Sequence, residues 1–275
     1  MSELTDKVEE CKFEDLSIED QHNGSILSGK YIPDELLCEL LSYVNVWSLL
    51  RCHLVCKRWK NLIQDYVWKK KAQLILGASF QSSISWESYY EVCKRNPFNR
   101  NLIRNHSGQE GMKHWKICGT WGDEENWKIE SPPEGALPLP DDPVFEGHNC
   151  YFTSRYAETK TQIINLIDEG LSPDFIDRFQ PPIQVSDWYS CRSNRFAYYY
   201  CDVCLITPGK VVTFYHHQDY FQNDKKGKWS KFFHEFRNYG VGVRRVQLVH
   251  QCKTISSFCG EYGGRLAGTS VVVKL

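Results

Sequence analysis

Residues 32–63, IPDELLCELLSYVNVWSLLRCHLVCKRWKNLI, decide the first part of the fold. Pro33 followed by two acidic residues is typical of a helix start, because its missing N–H has no partner there and carboxylates favour the positive end of the helix dipole. Leucines then recur at helical spacing until Asn45 breaks the pattern. Ser48 is the expected N-cap of a second helix that runs to about Ile63. Helices this short cannot bury so many leucines alone, so part of their apolar surface is expected to meet a partner helix or the remainder of this chain.

The composition excludes several classes of protein. Of 275 residues, 41% are hydrophobic and 24% are charged, which is typical of a globular chain. Lys and Arg number 33 against 34 Asp and Glu, so the chain lacks the basic excess of a nucleic-acid binder. No apolar run reaches the ~18–20 residues of a membrane span, so no membrane insertion is expected. Without a recognisable secretory signal, the 12 scattered cysteines are expected to be reduced thiols, and we predict a cytoplasmic location.

The chain from about residue 96 onward has the pattern of a β domain. Short runs rich in aromatic and β-branched residues alternate with proline, glycine and asparagine clusters, which predicts antiparallel strands in a sandwich or jelly roll. The predicted fold class is therefore α+β with more than one domain. The predicted order is a flexible acidic tail, a small helical module, a linker and a β-sandwich, at residues 1–29, 30–76, 77–96 and 97–275.

No motif in the sequence specifies a catalytic, metal or cofactor site. Cys201 and Cys204 form a CxxC, but it lies in an expected strand, where residues three apart face opposite sides of the sheet. The adjacent His216 and His217 point to opposite faces for the same reason. Neither pair is expected to share a metal ion, and no cofactor is predicted. A thiol hydrolase is the enzymatic alternative, without a motif in its favour.

Two parts of the chain resemble a known family. The first, from Ile32-Pro33 through Val55-Cys56-Lys57-Arg58-Trp59 to Trp68-Lys69, resembles an F-box, with Ile-Pro where Leu-Pro is usual. The second, residues 97–275, resembles the F-box-associated domain of the sugar-binding F-box proteins. Its matching stretches include Arg100-Asn101-Leu102-Ile103, Tyr151-Phe152, Asp187-Trp188, Tyr239-Gly240-x-Gly242-Val243-Arg244, His250 and Gly260-x-Tyr262-Gly263.

The resemblance implies a non-catalytic receptor subunit of an SCF-type ubiquitin ligase. The F-box would dock onto a Skp-type adaptor, which joins a cullin-RING scaffold, and the sandwich would present a substrate site. The adaptor-binding residues that the resemblance assigns are Pro33, Leu36, Leu37, Leu40, Leu41, Leu49, Leu50, Leu54, Val55 and Trp59.

In the sugar-binding members, the sandwich grips the inner chitobiose of high-mannose N-linked glycans with an early-loop aromatic and a late Tyr-Trp-Lys run. Here Tyr156 keeps the aromatic in kind, whereas Ser257, Phe258 and Cys259 replace the late run. Phe258 keeps a ring that packs on a sugar face, but two hydrogen-bonding groups are lost, each worth about 0.5–1.5 kcal/mol. Two interpretations stay open. The substrates are high-mannose glycoproteins in ER-associated degradation, or the sandwich is a lectin or interaction module that takes non-glycan proteins or acts outside the ligase.

Overall fold

The structure is a computed structural model that describes residues 23–77, 79, 84–118, 127–131, 135–145, 151–154, 159–221, 225–254 and 264–275. The chain divides into two compact units, Met1–Val67 and Trp68–Leu275. The division falls inside the predicted helical module, because helix α4 (Trp68–Leu76) packs against helix α5 (Trp86–Arg95) of the second unit.

The first unit contains three short helices, α1 (Asp34–Ser42), α2 (Val46–Cys52) and α3 (Lys57–Leu62), and a π-helical turn, Ile63–Val67. As predicted, α1 starts after Pro33. The prediction of one second helix capped by Ser48 is wrong. Asn45 is the N-cap, and its side chain accepts a hydrogen bond from the Ser48 backbone N–H at 2.9 Å. A turn at residues 53–55 follows α2, and Cys56, which has an extended backbone, is the N-cap of α3.

This break directs α3 onto a two-stranded hairpin, β1 (Ile26–Leu27) and β2 (Lys30–Tyr31). The Arg58 guanidinium and the Trp59 indole N–H each donate a hydrogen bond to the Gly24 carbonyl at 2.7 Å. Arg58 also pairs with Asp34 at the start of α1. One turn of α3 therefore holds the hairpin and α1 together. Trp59, which was predicted to bind the adaptor, thus also binds the backbone of its own unit.

We expect Gly24→Ala to destabilise the first unit more than Gly29→Ala does. Both glycines have positive φ, +78° and +75°, so both substitutions carry about 1–2 kcal/mol of left-handed strain. A Cβ at Gly24 would also lie 2.8 Å from two atoms of the Trp59 indole, whereas a Cβ at Gly29 would meet nothing within 4 Å. Overpacking adds roughly 1–3 kcal/mol. Amide hydrogen exchange of α3 measures the difference, and equal protection in the two variants would contradict the expectation.

The strands of the second unit are β3 (Lys116–Cys118), β4 (Trp127–Glu130), β5 (Tyr151–Ser154), β6 (Thr159–Asn165), β7 (Ile183–Cys191), β8 (Ala197–Ile206), β9 (Val211–Phe221), β10 (Ser230–Phe236), β11 (Arg245–Thr254) and β12 (Gly264–Val273). They form two five-stranded sheets in the orders β10-β7-β12-β5-β4 and β3-β6-β11-β8-β9, and every pairing within them is antiparallel.

The two sheets pack face to face around an apolar core. Along β8 every second residue is buried, which is the period-two pattern of a strand with one face inward. Tyr189 of β7 and Tyr199 of β8 stack across the core with ring centroids 4.0 Å apart. Other core side chains are Phe152, Val185, Val203, Leu248 and Val271. The predicted α+β class, a helical region followed by an antiparallel sandwich, is confirmed.

The sandwich unit also contains α6 (Pro173–Phe179), which the sequence analysis did not predict, and a 3-10 turn, Pro143–Phe145. The Ser172 side chain caps α6 by accepting from the Phe175 N–H at 3.2 Å, and Pro173 occupies the first turn. Ser172 also donates to Ser88 of α5 at 2.7 Å. The cap residue of α6 therefore ties this helix to α5.

Candidate functional site

The predicted adaptor-binding residues differ in their exposure. Five of them are exposed, namely Pro33, Leu36, Leu40, Leu54 and Val55. Two are half-buried, Leu50 and Trp59, and three are buried, Leu37, Leu41 and Leu49. The geometry of α1 explains part of the split. Leu36 and Leu40 lie one turn apart on its outer side, whereas the residues that follow them in sequence point inward. A docking surface can therefore use the exposed and half-buried members, while the buried leucines serve the core.

The structure adds two exposed aromatic residues to this set. Tyr43 and Trp47 are 70% and 62% exposed. Tyr43 directly follows α1, whereas Trp47 belongs to α2 beyond the break at Asn45, so no single helical repeat in the sequence joins them. We call Leu36, Leu40, Tyr43, Trp47, Leu54 and Val55 the exposed apolar set. So many large apolar side chains left in water on one small unit are typical of a surface that binds another protein.

The predicted glycan-binding residues Tyr156, Ser257, Phe258 and Cys259 lie outside the described residues. The strands that lead to them are described. Ser154 at the end of β5 is the cross-strand partner of Gly264 at the start of β12. The segments 155–158 and 255–263 therefore leave from adjacent strand ends.

Along β7, which pairs with β12, the sandwich buries a polar cluster around Asp187. One oxygen of this carboxylate accepts hydrogen bonds from the Tyr199 hydroxyl at 2.9 Å and from His250 Nδ1 at 2.8 Å. The other oxygen accepts from the Thr269 hydroxyl at 2.8 Å. All three donors and the carboxylate are fully buried, so the cluster links β7, β8, β11 and β12 across the core.

Lys160 is buried beside this cluster and is the cross-strand partner of His250. Its ammonium nitrogen lies 3.6 Å from the ring centroid of Trp115 and 3.3 Å from that of Phe152. Burial lowers the pKa of Lys160 well below its usual range, against the opposing effect of the Asp187 carboxylate. This amine therefore lies among aromatic rings without a hydrogen-bond partner in the described part of the chain.

Because the His250 imidazole is buried, we expect acid to destabilise the fold. Burial, helped by the Lys160 charge, lowers the pKa of His250 from 6.5 to about 4, despite the neighbouring Asp187. The folded chain therefore binds fewer protons than the unfolded chain between these pH values. Its free energy of unfolding should fall as the pH drops through this window, by about 3 kcal/mol in total, with no further effect of His250 below the folded pKa.

Urea unfolding of the full chain at several pH values measures this effect. His250→Gln removes the titration but keeps an amide that can donate to Asp187, so its acid slope should be shallower. His114→Gln is the matched control, because His114 is an exposed histidine. An unchanged slope in His250→Gln would refute the assignment.

Other chemistry finds little support in the described residues. No group of three or more His, Cys, Asp and Glu side chains there is placed to hold a metal ion. In the CxxC, Cys201 is buried and Cys204 is half-buried, in agreement with opposite faces of β8. Burial raises the pKa of the Cys191, Cys201 and Cys252 thiols, which argues against a thiolate nucleophile at these positions. No described helix is long and apolar enough to cross a bilayer.

Two protein families match this chain. The F-box-like family matches residues 30–73, and the F-box associated region family matches residues 93–273. This chain belongs to the F-box proteins with an F-box associated region. The resemblance seen in the sequence is confirmed, so the first unit is F-box-like and the sandwich is an F-box-associated domain.

Several relatives align along most of this F-box protein. F-box only protein 6 of Bos taurus is 32% identical over 260 residues, which cover 91% of this chain and 94% of that protein. F-box only protein 44 of Homo sapiens is 30% identical over 251 residues, 88% of this chain and 95% of that protein. F-box only protein 2 of Bos taurus is 30% identical over 268 residues, which cover 93% of this chain and 87% of that protein. Among solved structures, TmCBM61, in complex with beta-1,4-galactotriose, matches 64% of this chain and 100% of its own chain. The identity is 12% and the TM-score is 0.40, a likeness too distant to transfer a ligand.

Proposed function

We propose that this F-box protein is a substrate-recognition subunit of an SCF-type ubiquitin ligase. The observation that carries the proposal is the exposed apolar set within an F-box-like segment of a chain whose second unit is an F-box-associated sandwich. The F-box docks a Skp-type adaptor and, through it, a cullin-RING scaffold. The sandwich binds the substrate and brings it to the ligase. The chain acts by positioning and performs no chemical step itself.

Reconstitution with purified components tests the ligase role. The full chain is mixed with a purified Skp-type adaptor and resolved by size-exclusion chromatography. We expect a stable complex of the two. A folded chain that elutes free of the adaptor would overturn the proposal and favour an interaction module that acts outside the ligase.

For the substrate, we propose high-mannose N-glycosylated proteins met in the cytoplasm during ER-associated degradation. The family relationship and the retained aromatic rings Tyr156 and Phe258 support this choice. Ser257 and Cys259 favour the second candidate, recognition of non-glycan protein substrates, because the usual hydrogen-bonding side chains are missing there. Calorimetric titration of the full chain with chitobiose separates the two. No heat at millimolar sugar would remove the chitobiose assignment and leave the ligase role intact.

A further inference from the structure

The outer face of the β8–β9 pair carries a row of aromatic and polar side chains that adaptor docking does not explain. Tyr198, Tyr200 and Asp202 alternate along β8 and face outward. Their cross-strand partners on β9 are Tyr220, Gln218 and His216. These six side chains line a shallow cavity of about 310 Å³, and none of them belongs to the segments 155–158 and 255–263.

The rings form a continuous row. The centroids of Tyr220 and Tyr198 are 6.2 Å apart, and those of Tyr198 and Tyr200 are 6.4 Å apart with their planes within 11° of parallel. His216 continues the row at 6.2 Å from Tyr200, and Phe214 ends it at 6.3 Å from His216. Tyr220 and Phe214, at the two ends, are 49% and 56% exposed. The face therefore offers evenly spaced rings to a ligand made of repeated flat units.

The one acidic and the one basic side chain of this cavity, Asp202 and His216, lie beside each other. His216 Nδ1 lies 2.6 Å from the Asp202 carboxylate, which raises the pKa of the imidazole, and the other lining residues are tyrosines and a glutamine. A phosphate or a nucleic acid would find no unpaired cation among them. Uncharged groups supply the polar contacts instead: the Tyr200 and Tyr220 hydroxyls, the Gln218 amide and the Tyr198 hydroxyl, which donates to Gln251 at 2.8 Å.

We propose that this face binds an uncharged oligosaccharide through side chains of β8 and β9, none of which belongs to the two loop segments. Sugar rings present apolar C–H faces that pack on aromatic rings and hydroxyl edges that hydrogen-bond to amides and phenols. The row brings aromatic rings and uncharged polar groups together on one surface, which are the two kinds of group that this chemistry needs. Cross-strand stabilisation of the sheet is the competing explanation for Tyr198 opposite Tyr220, and it predicts no ligand.

Calorimetric titration of the full chain with chitotetraose, an extended uncharged sugar, tests the site. Tyr200→Ala should weaken binding about tenfold, the value of losing one stacking ring. Phe233→Ala is the matched control, since this residue is an exposed aromatic, 58% exposed, on β10 of the other sheet. Tyr220→Ala replaces Tyr200→Ala if the latter unfolds, because Tyr220 lies at the edge of the sheet.

Three titration results would each overturn the site. They are no binding by the folded chain at millimolar chitotetraose, equal affinity in wild type and Tyr200→Ala, and binding that only Phe258→Ala removes. A free chain that sediments as a dimer and becomes a monomer in Tyr200→Ala would also overturn it, by assigning the face to a second copy. The titration needs no adaptor, so its failure and a failure of the ligase proposal are distinguishable.

Discussion

Leu40→Asp should abolish adaptor binding while leaving the F-box protein folded. Leu40 is 50% exposed on the outer side of α1, so the free chain can keep an aspartate there in contact with water. In a complex, the same carboxylate would be buried without a partner against an apolar surface, which costs several kcal/mol. Loss of one central apolar anchor alone removes 2 kcal/mol or more, so binding should weaken on the order of 30-fold at least. Titration of the purified adaptor into the full chain measures the affinity.

Two comparisons make this result specific. Phe233→Asp introduces the same charge at an exposed apolar residue of the sandwich unit, and it should leave the adaptor affinity unchanged. Leu41→Asp, one residue along α1, puts the charge at a side chain that is 4% exposed, so it should destabilise the fold itself. Full adaptor affinity in a folded Leu40→Asp variant would show that this side of α1 is not the docking surface.

The sequence predicted the fold where a repeat of period 3.6 or 2 extends over a whole element. The α1 start at Pro33 and the alternating strand β8 are examples, and both agree with the structure. The break between α2 and α3 was missed because apolar spacing continues across it. A turn at residues 53–55 follows α2, and α3 begins after the extended Cys56 and bonds to Gly24 through Trp59, which a local pattern does not show. Helix α6 was overlooked although Ser172-Pro173 is a capped helix start.

The candidate sites show the same limit. Periodicity places leucines on a helix, but α1 is apolar on both sides, so it could not tell exposed Leu40 from buried Leu41. The partners of Asp187 lie 12 residues away at Tyr199 and 82 away at Thr269, and only the packing of two sheets brings them together. The row on β8 and β9 depends on register, which pairs Tyr198 with Tyr220. A single sequence does not state such pairings.

Asp187→Ala should be among the most destabilising single substitutions in the sandwich. It removes the acceptor of three buried donors, the Tyr199 and Thr269 hydroxyls and the His250 N–H. Each donor left unsatisfied in the core costs about 1–3 kcal/mol, and breaking a buried charged network by removing one partner costs about 3–5 kcal/mol. Tyr199→Phe removes only one donor and should cost about 1 kcal/mol. Urea unfolding of the full chain, followed by tryptophan fluorescence, compares the two.

Asp187→Asn then separates two causes of the stability loss in Asp187→Ala, the missing hydrogen-bond acceptor and the missing side-chain volume. Asparagine fills nearly the same space, but its amide nitrogen is a donor and would face donors that the carboxylate oxygen now satisfies. If hydrogen bonding dominates, Asp187→Asn should cost more than Tyr199→Phe but less than Asp187→Ala. The amide oxygen can still accept from Tyr199 and His250, whereas the Thr269 oxygen can accept from the amide nitrogen only by leaving its own O–H without this acceptor. A cost below about 1 kcal/mol for the asparagine variant would contradict this account, since it would mean that shape alone holds the site together. The carboxylate is therefore expected to act as the acceptor that fixes four strands of two sheets in one arrangement.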